Sequence, residues 1–578
     1  MTEKEALRRQ IFAAAGRERA DLVVKNCRIV NVFTGTIEPG EIAVAEGVVV
    51  GTDTGYEGRE TIDAEGRFAA PGFIDAHIHI ESTCLSPEQV GRILVPHGTA
   101  TVISDPHEIA NVCGLDGIRY MLEATGRTKL DILYAMPSCV PATPFEDAGA
   151  KLDAEDMEEL LADRRIFGLG EFMNMPGVIR AEDSVLDKLL LARRMGKLVD
   201  GHAPSLTGRA LNAYACAGTL GDHECQTADE IRERLAKGMY VLLREGSASR
   251  DLRALLGGIT EANSRRALLC SDDRQPKTIF AEGHLEHHLR ICVEEGLDPV
   301  TAVRMATLNA AEAFRLYDRG AIAPGRRADI VLLDDLKDFH VHRVFLGGES
   351  VAEEGRYLPE TVAADISAVR GSINVGNFSA DRLKVKLKGN RARVIGIRKD
   401  SIETEKRIAT VRRDDDGDFV FDPERDICKL AVVERHRGTG LVGVGLLGGY
   451  GIKAGAVAVS VSHDSHNIIV AGVSNEEMAF AVKMLVDMEG GAVIVRGGEV
   501  LASMALPIAG LMTTESGEWV AERLDALHEK ARTELGISAE VEPLMTLTFM
   551  ALPVIPALKL TTRGLFDYER FDFVPLEV

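Results

Sequence analysis

The sequence is short of the features that would place the protein in a membrane, outside the cell or on a nucleic acid. No stretch approaches the roughly 18 uninterrupted apolar residues of a membrane-spanning helix, and the charged first nine residues lack the apolar core of a secretory signal. Positive charge is also in deficit, because 67 Lys and Arg stand against 89 Asp and Glu for a net charge of −22, which disfavours a nucleic-acid backbone as partner. We therefore expect a cytoplasmic protein that binds neither membrane nor nucleic acid.

Paired cysteines are absent as well. The nine cysteines are scattered and contain no Cys-x-x-Cys spacing, so the sequence indicates neither a disulfide framework nor a thiolate zinc site. The length of 578 residues predicts two to four domains. Apolar residues at 46% and charged residues at 27% are typical of a well-packed globular protein.

One short apolar run, Phe73-Ile-Asp-Ala-His77-Ile-His79, carries two histidines. Alternate side chains share a face of a β-strand, so His77 and His79 could reach one metal ion from the same direction. Taken alone, the pair is equally consistent with a half-buried strand whose histidines are hydrogen-bonded. The decision depends on whether the rest of the chain supplies further ligands.

Short apolar runs alternate with stretches of helical spacing after this motif, which predicts βα units and a parallel sheet. Eight such units in about 250 residues match the size of a (β/α)8 barrel. We predict its strands at residues 73–79, 100–104, 131–136, 166–170, 197–201, 218–222, 239–244 and 266–271.

The segments on either side of this barrel share a strand-rich character with tight turns, and we expect them to pair as one small domain that is split in sequence. The sequence thus predicts an α/β protein with a (β/α)8 barrel, a small split β-sandwich domain and an additional C-terminal α/β domain. The predicted parts are an N-terminal helix with the first half of the sandwich at 1–70, the catalytic barrel at 71–319, the second half of the sandwich at 320–365, and the last domain at 366–578.

Three further segments have two interpretations each. Gly443, Gly445 and Gly448 fit G-x-G-x-x-G, but the flanking residues lack the strand, helix and acidic residue of a dinucleotide site, so close-packed glycine turns are favoured. Ser462-His-Asp-Ser-His-Asn467 is either an ordinary loop of turn-forming residues or a functional one. The histidines from His284 to His288 are either further metal ligands or surface residues in the first turn of a helix, and the surface position is favoured because they follow the last predicted barrel strand and precede a helix.

Side chains capable of chemistry follow six of the eight predicted strands. A (β/α)8 barrel takes its catalytic groups from the carboxyl ends of its strands. In strand order these residues are His77 and His79, Asp105 and His107, Glu171, His202, His223, and Asp272 with Asp273. Any one of them could be a buried polar residue satisfied by the backbone, but the same pattern at six strand ends indicates one common site.

The imidazoles and carboxylates in this set are more numerous than the ligands of a single catalytic metal ion, because such an ion keeps coordination positions open for water and substrate. They suit two ions with a bridging carboxylate, and ligands of this kind fit zinc, manganese or iron without selecting among them. Such a centre makes hydroxide available near neutral pH, and Asp272 could take the proton from that water and pass it to a leaving group. The sequence therefore predicts metal-assisted hydrolysis. The expected ligands are His77, His79, Glu171, His202, His223 and Asp272.

Pro71-Gly-Phe-Ile-Asp-Ala-His-Ile-His79, the single His, His and Asp residues at later strand ends, and the split flanking sheet together resemble the amidohydrolase superfamily. Finer motifs look like those of the bacterial adenine deaminases. These motifs are His77-Ile-His-Ile-Glu-Ser82, Ser104-Asp-Pro-His-Glu-Ile-Ala-Asn111, Gly168-Leu-Gly-Glu-Phe-Met173, Asp200-Gly-His-Ala203, Cys270-Ser-Asp-Asp273 and Ser462-His-Asp-Ser-His-Asn-Ile-Ile469. The resemblance covers nearly the whole chain.

The resemblance implies hydrolytic deamination of adenine to hypoxanthine and ammonia in purine salvage, with a metal-bound hydroxide attacking C6 of the purine. It implies two divalent metal ions, manganese or iron with zinc as the alternative, and a homo-oligomeric enzyme with adenine as its small-molecule substrate. The catalytic residues would be Glu171, His223 and Asp272. By the same match, His77 and His79 would bind the more buried ion, His202 and His223 the second, Glu171 would bridge them, and Asp272 would bind metal and shuttle the proton.

Glu171 stands where many superfamily members carry a carboxylated lysine, which argues against a hydantoinase or a dihydroorotase. The N1–C6–N6 edge of adenine needs a proton donor at N1 and partners for the amine. The candidate substrate-binding residues are Glu81, His107, Glu108, Asp273 and, from the last domain, His463 or His466.

Two other functions stay open from the sequence. One is another amidohydrolase that acts on a different aminopurine or on a cyclic amide. The other is a purine-binding or scaffolding protein built on a decayed barrel. That second function predicts missing ligands, whereas all six ligand positions are filled in this chain.

Overall fold

The computed structural model describes residues 2–399 and 401–578. Its first element is helix α1 (Glu3–Ala14), which begins with a reciprocal cap: the Thr2 hydroxyl accepts a hydrogen bond from the Glu5 N–H, and the Glu5 carboxylate accepts one from the Thr2 N–H. The first five strands follow and belong to one sheet. They are β1 (Ala20–Asn31), β2 (Thr36–Ala45), β3 (Val48–Gly51), β4 (Gly58–Asp63) and β5 (Phe68–Pro71).

The eight strands predicted for the barrel are all present, each overlapping its predicted segment. They are β6 (Phe73–Ile78), β7 (Thr99–Ser104), β8 (Asp131–Met136), β9 (Ile166–Leu169), β10 (Leu198–Val199), β11 (Gly221–Asp222), β12 (Tyr240–Arg244) and β13 (Ala267–Cys270). Within the described ranges they form two parallel sheets, one of β6 to β10 and one of β11 to β13. The sheets touch at both ends: the Leu220 N–H donates to the Val199 carbonyl at 2.7 Å, and Ile78 forms a parallel bridge with Asp272.

Helices alternate with these strands, as the spacing predicted. They are α2 (Pro87–Leu94), α3 (His107–Ala124), α4 (Ala154–Leu161), α5 (Met175–Arg180), α6 (Asp183–Arg194), α7 (Gly208–Cys216), α8 (Ala228–Ala236), α9 (Leu252–Leu256), α10 (Pro276–Glu282), α11 (Leu285–Glu294), α12 (Pro299–Met305) and α13 (Leu308–Ala313). In α4, Met157, Leu160 and Leu161 recur at helical spacing and form the buried face. Among the described residues, no helix combines the length and the apolar character needed to cross a membrane.

Side chains from both parallel sheets meet in one buried cluster. Ile74 and Ile103 come from the first sheet, Leu242 and Leu268 from the second, and Phe314 packs against them from beyond α13. Burial of this apolar surface holds the two sheets against each other below the strand ends. The polar residues at those ends therefore stand on a rigid base.

The second strand-rich segment joins the sheet of β1 to β5. It contains β14 (Ile330–Leu333), β15 (Val341–Leu346), β16 (Glu349–Glu353) and β17 (Arg356–Tyr357). Strand β14 pairs antiparallel with β5, and β1 pairs with β2 on one edge and with β4 and then β5 on the other. Within the described ranges these strands form a single nine-stranded sheet. The two halves of the predicted sandwich domain therefore share one sheet, joined where β14 pairs with β5.

The strands of the C-terminal region are β18 (Arg391–Ile397), β19 (Thr404–Thr410), β20 (Arg412–Arg413), β21 (Phe419–Val420), β22 (Ile427–Val433), β23 (Val442–Gly448), β24 (Ala456–Val459), β25 (Ile468–Gly472), β26 (Gly491–Arg496), β27 (Glu499–Ala505), β28 (Leu558–Thr561), β29 (Gly564–Asp567) and β30 (Asp572–Phe573). Among the described residues, eight of these strands form one large sheet in the order β19-β18-β23-β22-β25-β24-β26-β27. The helices of this region are α14 (Asn475–Asp487), α15 (Gly517–Thr533) and α16 (Met545–Thr548). The pairs within the large sheet are antiparallel apart from β18 with β23, so the domain mixes helices and strands without the βα repeats of the barrel.

The glycine-rich segment of this domain is a strand, not a set of turns. Gly443, Gly445 and Gly448 all lie on β23, which pairs with β22 and is followed by another strand, β24. A methyl group at position 443 would lie 1.9 Å from the backbone oxygen of Thr561. Close approach of a second backbone therefore explains the glycine, and the strand-turn-helix context of a dinucleotide site is absent from this described segment.

Gly443→Ala should lower the free energy of unfolding by about 1–3 kcal/mol, because the added methyl would meet backbone that cannot rotate away. Gly126→Ala is the matched control, since open space surrounds a methyl at that position, and we expect a change within about 0.5 kcal/mol. Denaturant unfolding of both variants measures the difference. Equal stabilities would contradict the close approach of β23 to Thr561.

Candidate active site

His77 and His79, at the end of β6, direct one nitrogen each at the other. Their Nε2 atoms are 3.1 Å apart, and both side chains are buried. His77 Nδ1 lies 3.1 Å from the Asp200 carboxylate, and His79 Nδ1 lies 3.0 Å from the backbone oxygen of Asp105. These acceptors place the proton of each neutral ring on Nδ1, so the two Nε2 lone pairs face each other. Two lone pairs in this position repel unless a cation shares them.

Glu171, directly after β9, stands between two pairs of histidines. Its Oε1 lies 3.5 Å from His79 Nε2. Its Oε2 lies 2.7 Å from His202 Nδ1 and 3.2 Å from His223 Nε2. One oxygen therefore faces the histidines of the first strand and the other faces those that follow β10 and β11, which is the arrangement a bridging carboxylate needs.

Asp272 closes the cluster from the end of β13. Its Oδ1 lies 3.1 Å from His79 Nε2 and 3.8 Å from His77 Nε2. Its Oδ2 accepts a hydrogen bond from Arg244 at 3.0 Å. The backbone N–H of Asp272 donates to the His77 carbonyl at 2.9 Å, which fixes the carboxylate beside the first histidine pair.

The six predicted ligands thus meet in one place and fit divalent metal ions. Donor atoms of His77, His79 and Glu171 lie within 4.8 Å of one another, and so do those of Glu171, His202 and His223. Glu171 belongs to both groups. Neutral imidazole nitrogens with carboxylate oxygens are the donors that zinc, manganese and iron accept.

Two charged residues beside this cluster were missing from the sequence prediction. Arg244, at the end of β12, donates to Glu224 at 2.5 Å as well as to Asp272, and it is buried. Glu224 Oε1 lies 3.4 Å from His223 Nε2. Their positions in the sequence could have indicated them. Glu224 directly follows the predicted ligand His223, and Arg244 is the last residue of β12, a strand for which no site residue was predicted.

The histidines after β13 are not on the surface as predicted, since His284 and His288 are fully buried. His284 Nε2 lies 3.0 Å from the carboxylate of Asp75. Asp75 also accepts hydrogen bonds from the backbone N–H groups of His77 at 3.3 Å and Ser271 at 3.1 Å. Asp75 therefore ties β6 to β13 just below the ligands His77 and Asp272. A buried partner on a distant strand is what the local helical spacing could not reveal.

A cavity opens beside the histidine cluster, and its two walls differ in character. Glu81, Glu108, Asp273 and His463, four of the five predicted substrate-binding residues, line it together with Ser82 and Gln275. The opposite wall is largely apolar and comes mainly from the C-terminal domain. Its residues include Val459, Val461, Met504, Leu506, Leu511, Leu524, Leu544, Met545 and Phe549.

His107, the fifth predicted substrate-binding residue, lies behind this lining rather than in it. Its Nδ1 is 3.4 Å from Glu171 Oε1, and its Nε2 is 3.5 Å from Glu108 Oε1. It thus stands between the histidine cluster and the cavity. This position lets His107 orient Glu171 and Glu108, and its contact with a substrate stays a prediction.

Glu81 has the surroundings of a proton-exchanging group. It sits in the short turn Ile80–Thr83 after β6, and its Oε1 accepts a hydrogen bond from the Ile109 N–H at 3.2 Å. Burial, and then the charge of Glu108, raise the pKa of Glu81 to about 7. A carboxyl group with such a pKa can give up and take back a proton near neutrality.

The loop that follows β24 reaches the cavity, which settles the choice between an ordinary loop and one placed at the site. One carboxylate oxygen of Glu108 lies 2.7 Å from His463 Nδ1, and the other contacts His466 Nε2. The buried Arg435 donates to the backbone oxygens of His466 and, at 3.0 Å, of Ala509. Arg435 therefore fixes the loop that carries both histidines.

The comparisons with known proteins agree with this geometry. Residues 68–351 match the amidohydrolase family, and residues 401–572 match the adenine deaminase C-terminal domain. The parallel strands and the histidine and carboxylate cluster at their ends place the chain among the hydrolases of the amidohydrolase family.

Individual relatives narrow this class. Adenine deaminase 2 of Desulfotalea psychrophila is 55% identical over 574 residues, covering 99% of this chain and 100% of the relative. The adenine deaminases of Ligilactobacillus salivarius and Nitratidesulfovibrio vulgaris strain DP4 are 49% and 51% identical, with 100% of both chains covered in each case. The chain belongs to the adenine deaminase family, which confirms the resemblance found in the sequence.

Glu171→Gln should remove most of the bound metal, because the variant has one carbonyl oxygen and an amide group where the two histidine pairs share a carboxylate. Metal content per chain, measured after growth in manganese-supplemented medium, tests this expectation. Glu424→Gln, the same chemical change at an exposed position, should keep the wild-type content. Wild-type metal content in Glu171→Gln would contradict the bridging position of Glu171.

Proposed function

We propose that this protein hydrolyses adenine to hypoxanthine and ammonia in purine salvage. The observation that carries the proposal is the cavity of Glu81, Glu108, Asp273 and His463, which opens beside the cluster centred on Glu171. A purine edge with a ring nitrogen and an exocyclic amine needs such polar partners. The full-length relatives named adenine deaminase support the same substrate.

We also infer that the two parallel sheets close into a (β/α)8 barrel. The supporting contacts lie at both junctions, from Leu220 to Val199 and from Ile78 to Asp272. The domain limits follow as proposals: the barrel at 71–319, the split sheet domain at 1–70 and 320–365, and the C-terminal domain from 366 onward.

The six ligands are proposed to hold two divalent ions, manganese or iron, with zinc as the alternative. His77 and His79 would hold the first ion, His202 and His223 the second, and Glu171 would bridge them. When bound, the ions supply Lewis acidity that makes water nucleophilic near neutral pH. Glu171, His223 and Asp272 form the proposed catalytic group.

Asp272 and Glu81 are proposed to move the protons of the addition step. Arg244 occupies one oxygen of Asp272, so the other, Oδ1, accepts the proton of the attacking water. Glu81 donates a proton to N1 of the purine as the oxygen of water adds to C6, and before the next turnover Asp272 releases its proton to solvent and Glu81 takes one up. Glu108 and Asp273, which face the same cavity, bind the amino edge of the base.

Metal-replete protein should release ammonia and hypoxanthine from adenine, and a panel with 2,6-diaminopurine, hydantoin and dihydroorotate tests the substrate class. If another aminopurine released ammonia and adenine did not, that aminopurine would be the substrate in place of adenine. If only a cyclic amide were hydrolysed, the enzyme would be a cyclic amidase and not a deaminase.

Glu81→Gln should lower kcat for adenine by about 10²–10⁴-fold, because glutamine keeps the shape of the side chain but cannot transfer a proton. Metal content should stay at the wild-type level, since Glu81 is not among the six ligands. Steady-state kinetics with metal analysis checks both. A kcat within threefold of wild type, on the order of 0.6 kcal/mol in barrier height, would rule out Glu81 as the N1 donor.

A further inference from the structure

His463 is held at the cavity by its own domain. Its ring stacks on Phe549 with centroids 4.6 Å apart and planes inclined by 11°. Its backbone N–H donates to the Thr548 carbonyl at 2.9 Å. Both partners lie at the end of α16, so the orientation of the ring is set before any ligand enters.

The close contact with the Glu108 carboxylate determines which nitrogen of His463 faces the cavity. A carboxylate only accepts, so Nδ1, at 2.7 Å from Glu108 Oε1, carries a proton. Nε2 is on the other edge of the ring, away from the Glu108 contact, and the residue itself lines the cavity. Nε2 is therefore the atom available to a ligand.

Glu108 is held as an anion by the second histidine of the loop. The Ser462 N–H donates to His466 Nδ1 at 3.1 Å, which puts the proton of the neutral His466 ring on Nε2, the nitrogen that contacts the Glu108 carboxylate. Burial opposes a charge on His463, but the Glu108 carboxylate outweighs burial and raises the pKa of His463 to about 9. A carboxylate that fixes one ring nitrogen and stabilises the imidazolium is how catalytic histidines are oriented.

We propose that His463 of the C-terminal domain donates a proton from Nε2 to the departing amine. This rests on the proposed deamination and assigns its second step. After water has added to C6, the N6 amine takes the Nε2 proton, the C6–N6 bond breaks, and ammonia leaves. The C6 hydroxyl then loses its proton, which returns to His463 as the carbonyl of hypoxanthine forms.

A substrate whose leaving group needs no proton separates this role from simple binding. Chloride leaves 6-chloropurine unprotonated, and the product is again hypoxanthine. His463→Gln should lower kcat for adenine by about 10²–10⁴-fold. Hydrolysis of 6-chloropurine should stay close to wild type, because glutamine still hydrogen-bonds but transfers no proton.

Equal losses on both substrates would overturn the proposal and make His463 a binding or positioning residue. Full adenine activity in His463→Gln would overturn it as well and leave Asp272 as the donor. Phe549→Leu, which removes the stack but keeps an apolar wall, should reduce adenine turnover more than chloride release. Metal content of each variant, measured alongside, must match wild type. Failure of the wild type on adenine would instead refute the proposed function.

Discussion

The Glu171 carboxylate, shared between two pairs of histidines, is the interaction on which the rest of the site depends. Its two oxygens lie 3.5 Å from His79 and 2.7 Å from His202, which follow different strands. A buried carboxylate among imidazoles whose lone pairs converge offers the donor atoms that a divalent cation accepts. The surrounding structure serves to hold that group in place. Asp75 ties β6 to β13, and Arg244 ties Asp272 to Glu224.

The C-terminal domain completes the cavity. It supplies most of the apolar wall and also His463 and His466, which contact the two oxygens of Glu108. A planar base can therefore be held between an apolar surface and the polar strand ends. The proposed role of His463 makes catalysis depend on the docking of the two domains, because the anchored loop carries a group that the barrel alone does not have.

The barrel strands and the residues of the histidine and carboxylate cluster could be predicted from the sequence because both are local signals. Apolar runs of five to seven residues mark the strands, and each predicted ligand lies at or just after a strand end. What could not be predicted depends on pairing between distant segments. The pairing of the two flanking segments was predicted, but the sequence did not show that β5 meets β14 or that the buried His284 faces Asp75 on another strand. The antiparallel order of the C-terminal sheet is long-range in the same way, whereas the resemblance had already indicated that its histidine loop reaches the site.

Anomalous diffraction at the manganese edge, from crystals of the manganese-loaded protein, tests the shared carboxylate most directly. The account predicts two anomalous peaks, one on each side of Glu171. One peak should lie beside His77 and His79, and the other beside His202 and His223. A single peak, or two peaks of which neither is coordinated by Glu171, would contradict it.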